Sequence, residues 1–250
     1  MNALTLAWPA LRYPPALDGD DVHVWAVPLR VDAATRAAYE ALLAPDERAR
    51  AARLVVPGKR EQSIVARGAL RTLLGAYAGV PPAAVELRYE EHGRPRLAGP
   101  AFARHVTFNV THSGDLALVA CTRAGELGVD VERRDPRVEF LAVGRRFFSA
   151  SEHATLATCA GAALEHAFFR CWTRKEAYLK ARGTGLRLPL DAFDVTLAAG
   201  EPPRLVATRF DPPDTAAWTL TELVPASGYV GALCADGGAR RIALHAFAPG

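Results

Sequence analysis

Hydrophobic and polar positions change their rhythm several times along the chain. DVHVWAVPL (21–29) alternates and reads as a β-strand. APDERARAARLVV followed by KREQSIVARGALRTLLGAYAG keeps a helical spacing and predicts one or two helices that stop at Gly79, after which Pro81-Pro82 breaks the chain. VELRYEEHGRPRL predicts a strand entering a turn at Gly93, then a short connection containing glycine and proline, then the strand-like VTFNVTHSG. LALVACT and LGVDVE are the next two strand candidates, joined by turn residues Arg123 to Glu126. Beyond Pro136, helical spacing returns in FLAVGRRFF, SASEHATLATCA and the long LEHAFFRCWTRKEAYLKARG, which Gly183 can terminate as the residue after the last turn. The tail alternates strand-like pieces, FDVTLA, AAWTLTELV, GYVGALCA and RIALHAF, with Pro/Gly turns. Strands and helices mix without regular βαβ alternation, so the expected class is α+β. No internal repeat or low-complexity linker interrupts the pattern.

Composition narrows the picture. A chain of 250 residues, half of them hydrophobic, can bury one large core or two small ones. No stretch approaches the roughly 18 apolar residues of a membrane span, and the N-terminus lacks a basic region ahead of an apolar run, so a cytoplasmic protein is expected. Cys121, Cys159, Cys171 and Cys234 form no CxxC pair and are expected to be reduced and mostly buried. The net charge of +3 is too small to mark a nucleic-acid binder. It hides a basic run, Arg48, Arg50, Arg53, Lys59, Arg60, Arg67 and Arg71, broken by a single acid, Glu61. A solvated helix face and a site for a phosphate-rich ligand are both open readings of that run. Of 30 basic residues only Lys59, Lys175 and Lys180 are lysines, and two of them share one helix. A compact ammonium and a planar guanidinium are not interchangeable at a tight site, so those lysines hint at a chemical requirement.

Two segments carry the candidate chemistry. In the strand LGVDVE, Asp130 and Glu132 share a face about 6 to 7 Å apart along the chain, with Val129 and Val131 on the other. Carboxylates that close repel unless a cation intervenes, and Mg²⁺ takes one or two protein carboxylates together with phosphates. An exposed strand end is the plainer reading of a lone D-x-E. In the helix, a step of 100° per residue puts Phe168, Phe169, Trp172 and Leu179 on one stripe, with Glu176 and Lys180 on its shoulder. Arg170 and Arg174 are expected on the opposite side, in water. A Glu/Lys pair four residues apart is ordinarily a solvated helix salt bridge, but these two are placed to reach a neighbouring sheet. If that sheet carries Asp130 and Glu132, three carboxylates meet with a cation beside them.

FNVTHSG, GVDVE, RRFFSASE and FFRCWTRKEAYLKARGTGLRLPL, in this order, resemble the 4′-phosphopantetheinyl transferases of the surfactin-synthetase-activating (Sfp-like) type, over roughly Pro45 to Leu190. The resemblance implies two similar α/β halves related by a pseudo-twofold axis, here 1–118 and 119–250, with the second carrying the metal site, in a chain that works as a monomer. It implies transfer of the phosphopantetheine arm of coenzyme A to a serine of an acyl or peptidyl carrier protein, releasing adenosine 3′,5′-bisphosphate. Neither nucleic acid nor membrane is implied as a partner. By position, Asp130, Glu132 and Glu176 match the family's Mg²⁺ ligands and Lys180 its pyrophosphate-contacting lysine, with Lys175 adjacent. His112 matches the histidine on the 3′-phosphate, with Thr111 beside it; Arg50, Gly93 and Arg94 match positions lining the nucleotide. Three departures stand out: Thr111 where serine is usual, Arg94 where lysine is usual, and Gln62 where a basic phosphate contact can occur, with Ser63 next to it able to donate a hydrogen bond. Lys59, Arg60 and Arg67 lie near enough in sequence to compensate for Gln62. Glu176 and Glu152 both stand as candidates for the base that takes the serine proton, alongside a metal-bound water, because a carboxylate on a metal is less basic. A metal-dependent nuclease is the second enzymatic reading. Such nucleases place acid and lysine two apart on one strand, whereas Glu176 and Lys180 are four apart on a predicted helix. A carrier-binding module without chemistry is the third, disfavoured by the intact set of acids and Lys180. The region 137–165 is the expected place for carrier recognition.

Overall fold

The computed structural model describes residues 4–91, 93–99, 105–238 and 240–248. In chain order the elements are β1 (Ala10–Leu11), β2 (Val22–Pro28), α1 (Ala33–Leu42), α2 (Pro45–Ala52), α3 (Lys59–Ala78), β3 (Glu86–Tyr89), β4 (Pro95–Ala98), β5 (Thr107–Ser113) and β6 (Leu116–Thr122). They continue with β7 (Leu127–Arg133), α4 (Phe140–Phe147), α5 (Ala150–Ala157), α6 (Gly161–Arg182), β8 (Phe193–Val195), β9 (Leu205–Thr208), α7 (Asp214–Ala217), β10 (Trp218–Leu223), β11 (Tyr229–Asp236) and β12 (Ile242–Phe247). The class is α+β, as the mixed pattern predicts.

Two compact units divide the chain. The first takes in the chain up to Phe108, His112–Ala124 and the stretch from Arg241 onward; the second takes in Asn109–Thr111 and Gly125–Arg240. A cut between 118 and 119 falls inside β6, whose full-length antiparallel pairing with β2 keeps it in the first unit. The last strand also returns there, because β12 runs parallel to β2 from Ile242↔Val22 onward.

In the first unit the sheet order is β1-β12-β2-β6-β5. β2 and β6 are buried along almost their whole length, so the alternation of DVHVWAVPL does not separate a wet face from a dry one, and His23 is buried with its apolar neighbours. Pro57-Gly58 separates α2 from α3: Gly58 sits at φ 78° as the residue before α3. Gly79 at φ 69° closes that helix, its N–H returning to the Gly75 carbonyl. Part of the basic run is structural. Arg71 is 3% exposed, and its Nε donates to Glu47 Oε2 at 2.7 Å, joining α3 to α2.

In the second unit α6 lies across the antiparallel sheet β10-β11-β7. Ser149 and Glu152 form a capping box that starts α5. Phe168 and Phe169 are buried and Trp172 is half-buried, in a cluster with Phe140 and Phe148. Gly183, at φ 70°, ends α6 with its N–H on the Leu179 and Lys180 carbonyls.

Candidate active site

The constellation begins with the glycine of GVDVE. Gly128 lies on the same face of β7 as Asp130 and Glu132, and a Cβ placed there would overlap the Ala177 carbonyl oxygen and the Ala181 amide nitrogen. The strand therefore touches the backbone of α6 directly, which brings the shoulder of α6 over the next residues of β7. The sheet under α6 does carry Asp130 and Glu132.

Lys180 does not pair with Glu176 along the helix. Its Nζ lies 2.6 Å from Asp130 Oδ1 and donates to Thr111 Oγ1 at 3.1 Å, while Thr111 Oγ1 donates to Asp130 Oδ1 at 3.1 Å. Asp130 is 4% exposed, and its second oxygen, Oδ2, is buried with no hydrogen-bond partner among the described residues. Burial pushes the Asp130 carboxyl above its ordinary range, and Lys180 and Thr111 oppose that shift. Half-buried Glu176 faces the same place: burial raises its carboxyl, the negative charges of Asp130 and Glu132 add to the rise, and Lys180 opposes it. Three acids and one cation are thus electrostatically coupled. Among the described residues no group of three or more His, Cys, Asp or Glu side chains is drawn together into a formed metal cage. A carboxylate oxygen buried without a donor is costly, and hard cations take carboxylate oxygens as ligands. The donor set of three carboxylates therefore fits a divalent ion of the Mg²⁺ kind.

Glu152 and Lys175 are brought to each other. Lys175 is fully buried, its Nζ 2.8 Å from Glu152 Oε2, 2.6 Å from the Leu190 carbonyl and 2.5 Å from the Phe193 carbonyl. Glu152 is 2% exposed and accepts from the Val195 N–H through Oε1 and from the Ser149 N–H through Oε2. Arg174 corrects the expectation of a solvated face. It is 1% exposed, with Nη1 on the Thr196 carbonyl at 2.5 Å and Nη2 on Glu222 at 2.7 Å, because β8 and β10 cover the side of α6 that periodicity assigns to water.

The remaining expected residues lie in the first unit. Arg50 bonds Asp46 at 2.5 Å and the Tyr89 hydroxyl at 2.8 Å, stacked 4.6 Å over the Tyr89 ring. Gly93, at φ 77°, forms the turn of the β3–β4 hairpin, and Arg94 after it is 8% exposed. His92 of EHGRP lies outside the described residues. Ser63 is half-buried on α3 and His112 is exposed on β5. Gln62 is committed elsewhere: its Nε2 donates to the Gly114 carbonyl and to Asp115 Oδ1, both at 3.0 Å, tying α3 to the β5–β6 turn. One residue inside FNVTHSG had no role assigned from sequence: Asn109 Oδ1 accepts the Val129 N–H at 3.0 Å. The signal for it was an amide side chain two residues before Thr111, on the same face of the strand.

No described helix is long and apolar enough to cross a membrane. Residues 126–234 match the family model of the 4′-phosphopantetheinyl transferase superfamily, and residues 32–124 match the model of the 4′-phosphopantetheinyl transferase N-terminal region. The chain is 37% identical to the 4′-phosphopantetheinyl transferase HetI of Nostoc sp. over 91% of its own length and 93% of that protein. It is 32% identical to a phosphopantetheinyl transferase of Thraustochytrium over 74% of the chain and 67% of the relative. To the transferase Sfp of Bacillus subtilis it is 25% identical over 64% of the chain and 68% of the relative. With both family regions present in order and a relative matched over nearly its whole length, the chain belongs to the two-domain, Sfp-type 4′-phosphopantetheinyl transferases, enzymes that transfer 4′-phosphopantetheine to carrier proteins.

Proposed function

We propose that Asp130, Glu132 and Glu176 hold a Mg²⁺ ion, that Lys180 contacts the pyrophosphate of coenzyme A, and that Arg50, Ser63, Gly93, Arg94, Thr111 and His112 line its nucleotide portion. The observation that carries the metal assignment is the buried, unpartnered Oδ2 of Asp130, in a group where the charges of Asp130 and Glu132 raise the carboxyl of Glu176 and Lys180 opposes them. When bound, the ion supplies positive charge to the pyrophosphate oxygens, the main requirement of phosphoryl transfer.

In the transfer, the carrier serine oxygen forms a bond to the β-phosphorus of coenzyme A. The bond from that phosphorus to the bridging oxygen breaks, and adenosine 3′,5′-bisphosphate leaves with the electron pair. Lys180 neutralises charge on the departing phosphate, as a preorganised cation does. The serine proton goes to Glu176 in preference to Glu152. The full engagement of both Glu152 oxygens by Ser149, Val195 and Lys175 supports this. Glu152 and Lys175 serve as a buried brace between α5, α6 and β8. The carrier, an acyl or peptidyl carrier domain, meets the enzyme near α4, where Arg137 and Leu141 are exposed and Arg145 and Arg146 follow. The enzyme acts as a monomer.

The test is incubation with an apo carrier protein and coenzyme A, read by mass spectrometry of the carrier. The phosphopantetheine adduct is expected with Mg²⁺, lost with EDTA and restored by excess Mg²⁺. Undiminished transfer in EDTA, or by the variant Asp130→Ala, refutes the metal assignment.

A further inference from the structure

We infer that Asn109 is a positioning residue for the reaction: through a side-chain bond to the Val129 N–H it fixes the backbone of β7 one residue before Asp130, and so sets where the Asp130 carboxylate points. The inference rests on reading Asp130 as a metal ligand.

The edge of β7 explains the need. β11 pairs with β7 along its full length in antiparallel register, Leu233↔Val129 and Ala232↔Asp130, and takes the backbone groups on one edge only. The Val129 N–H points the other way, is buried, and bonds to Asn109 Oδ1 at 3.0 Å. A buried N–H without an acceptor costs the desolvation of that group, so the amide oxygen supplies what a further strand would otherwise supply. Two residues along β5, Thr111 donates to Asp130 Oδ1 at 3.1 Å. Alternate residues of a strand share a face, so Asn109 and Thr111 act as two adjacent grips. One holds the main chain at Val129, the other the side chain at Asp130. Asn109 is 7% and Thr111 9% exposed, so neither grip is loosened by competing water. Without Asn109 the main chain at Val129 is free to tilt. The carboxylate then loses its aim while Lys180 and Thr111 remain present.

Residues that orient a metal ligand without touching the metal change affinity or activity by about 10- to 100-fold. Asn109→Leu, nearly the same size but without an acceptor, is therefore expected to lower kcat by about that factor with the KM for coenzyme A unchanged. It is also expected to weaken Mn²⁺ binding, followed by the electron spin resonance of free Mn²⁺, by about tenfold. In metal-free protein, hydrogen exchange at the Val129 amide accelerates. Asn109→Asp, which keeps an oxygen acceptor at the same reach, restores most of all three. If Asn109→Leu does not fold, Asn109→Ser serves the same comparison, since its hydroxyl is too short to span the gap. Wild-type kcat and Mn²⁺ affinity in the Leu or Ser variant overturn the inference, as does equal impairment of the Asp variant. Asp130→Ala separates the two levels: if it binds Mn²⁺ as the wild type does, the metal assignment fails, whereas its loss of Mn²⁺ beside an unaffected Asn109→Leu removes Asn109 alone.

Discussion

Lys175 and Lys180 stand on the same helix and meet opposite surroundings. The ammonium of Lys175 has three N–H donors, and three oxygens surround it, those of Glu152, Leu190 and Phe193. A planar guanidinium does not fill that small tripod, which accounts for a lysine in a chain that otherwise uses arginine. Glu152→Gln is expected to leave this buried ammonium without its counter-charge and to cost about 3 kcal/mol in urea unfolding. Turnover per folded molecule and its pH profile stay unchanged; a shifted profile returns Glu152 to the chemistry. Lys180 is 29% exposed at its side chain, so it can exchange Asp130 for a substrate phosphate. Lys180→Met is expected to lower kcat by about 10²- to 10³-fold, the effect of removing one charge-stabilising group. In EDTA the variant also loses ~2 kcal/mol of stability, discounted from a fully buried pair because the lysine is partly exposed. Mg²⁺ is expected to return part of that stability, which chemical unfolding with and without the ion measures.

At the scale of elements, the contact at Gly128 governs the site. Gly128→Ala forces the strand and α6 apart, and overpacking of this kind costs about 1–3 kcal/mol or more where the neighbour is backbone. Transfer activity is expected to fall further than stability explains, because Glu176 and Lys180 move with the helix; equal loss of both argues for a purely structural glycine. The same helix shows why part of the element-level reading failed. Periodicity located α6, its aromatic stripe and its end at Gly183. It could not reveal that β8 and β10 bury the opposite side and neutralise Arg174 with Glu222, since those partners come from residues that follow the helix in the chain. α1 and β9 escaped notice for another reason: α1 buries only Tyr39, its other apolar positions being mostly alanine, and β9 is a four-residue strand. The carboxylates of the candidate site were legible because Asp130 and Glu132 alternate on one strand face, Glu176 sits on the shoulder of an apolar helical stripe, and the motifs around them keep the family's order. Asn109 was not, because its bond joins a side chain to a main-chain group across non-sequential strands.

At the scale of the molecule, three histidines tie stability to acidity. His23, His166 and His245 all have their protonation pushed below the ordinary imidazole range, in each case chiefly by burial. His23 also accepts or donates at the Tyr77 hydroxyl, 2.8 Å away, and lies edge-on to His245. A proton binds the unfolded chain first, near pH 6.5, so the stability these groups contribute is complete above that value. It is lost as pH falls from 6.5 toward the lower folded values. Urea midpoints measured from pH 7.5 to 5 are expected to decline, and His245→Phe, which keeps a ring against Trp25, to flatten the decline. A slope unchanged by that variant assigns the effect to other groups.

The return of β12 to the first unit has a consequence for how the protein is made. The strand lies between β1 and β2, so a piece of chain ending at Phe247 occupies an interior place in a sheet whose other members emerge from the ribosome far earlier. Until then β2 offers a bare, apolar edge, the kind that recruits foreign strands. The segment ending at Ala124 is therefore not an autonomous module. Expressed alone it is expected to aggregate, and a synthetic peptide spanning 241–248, added during refolding, to compete with that outcome.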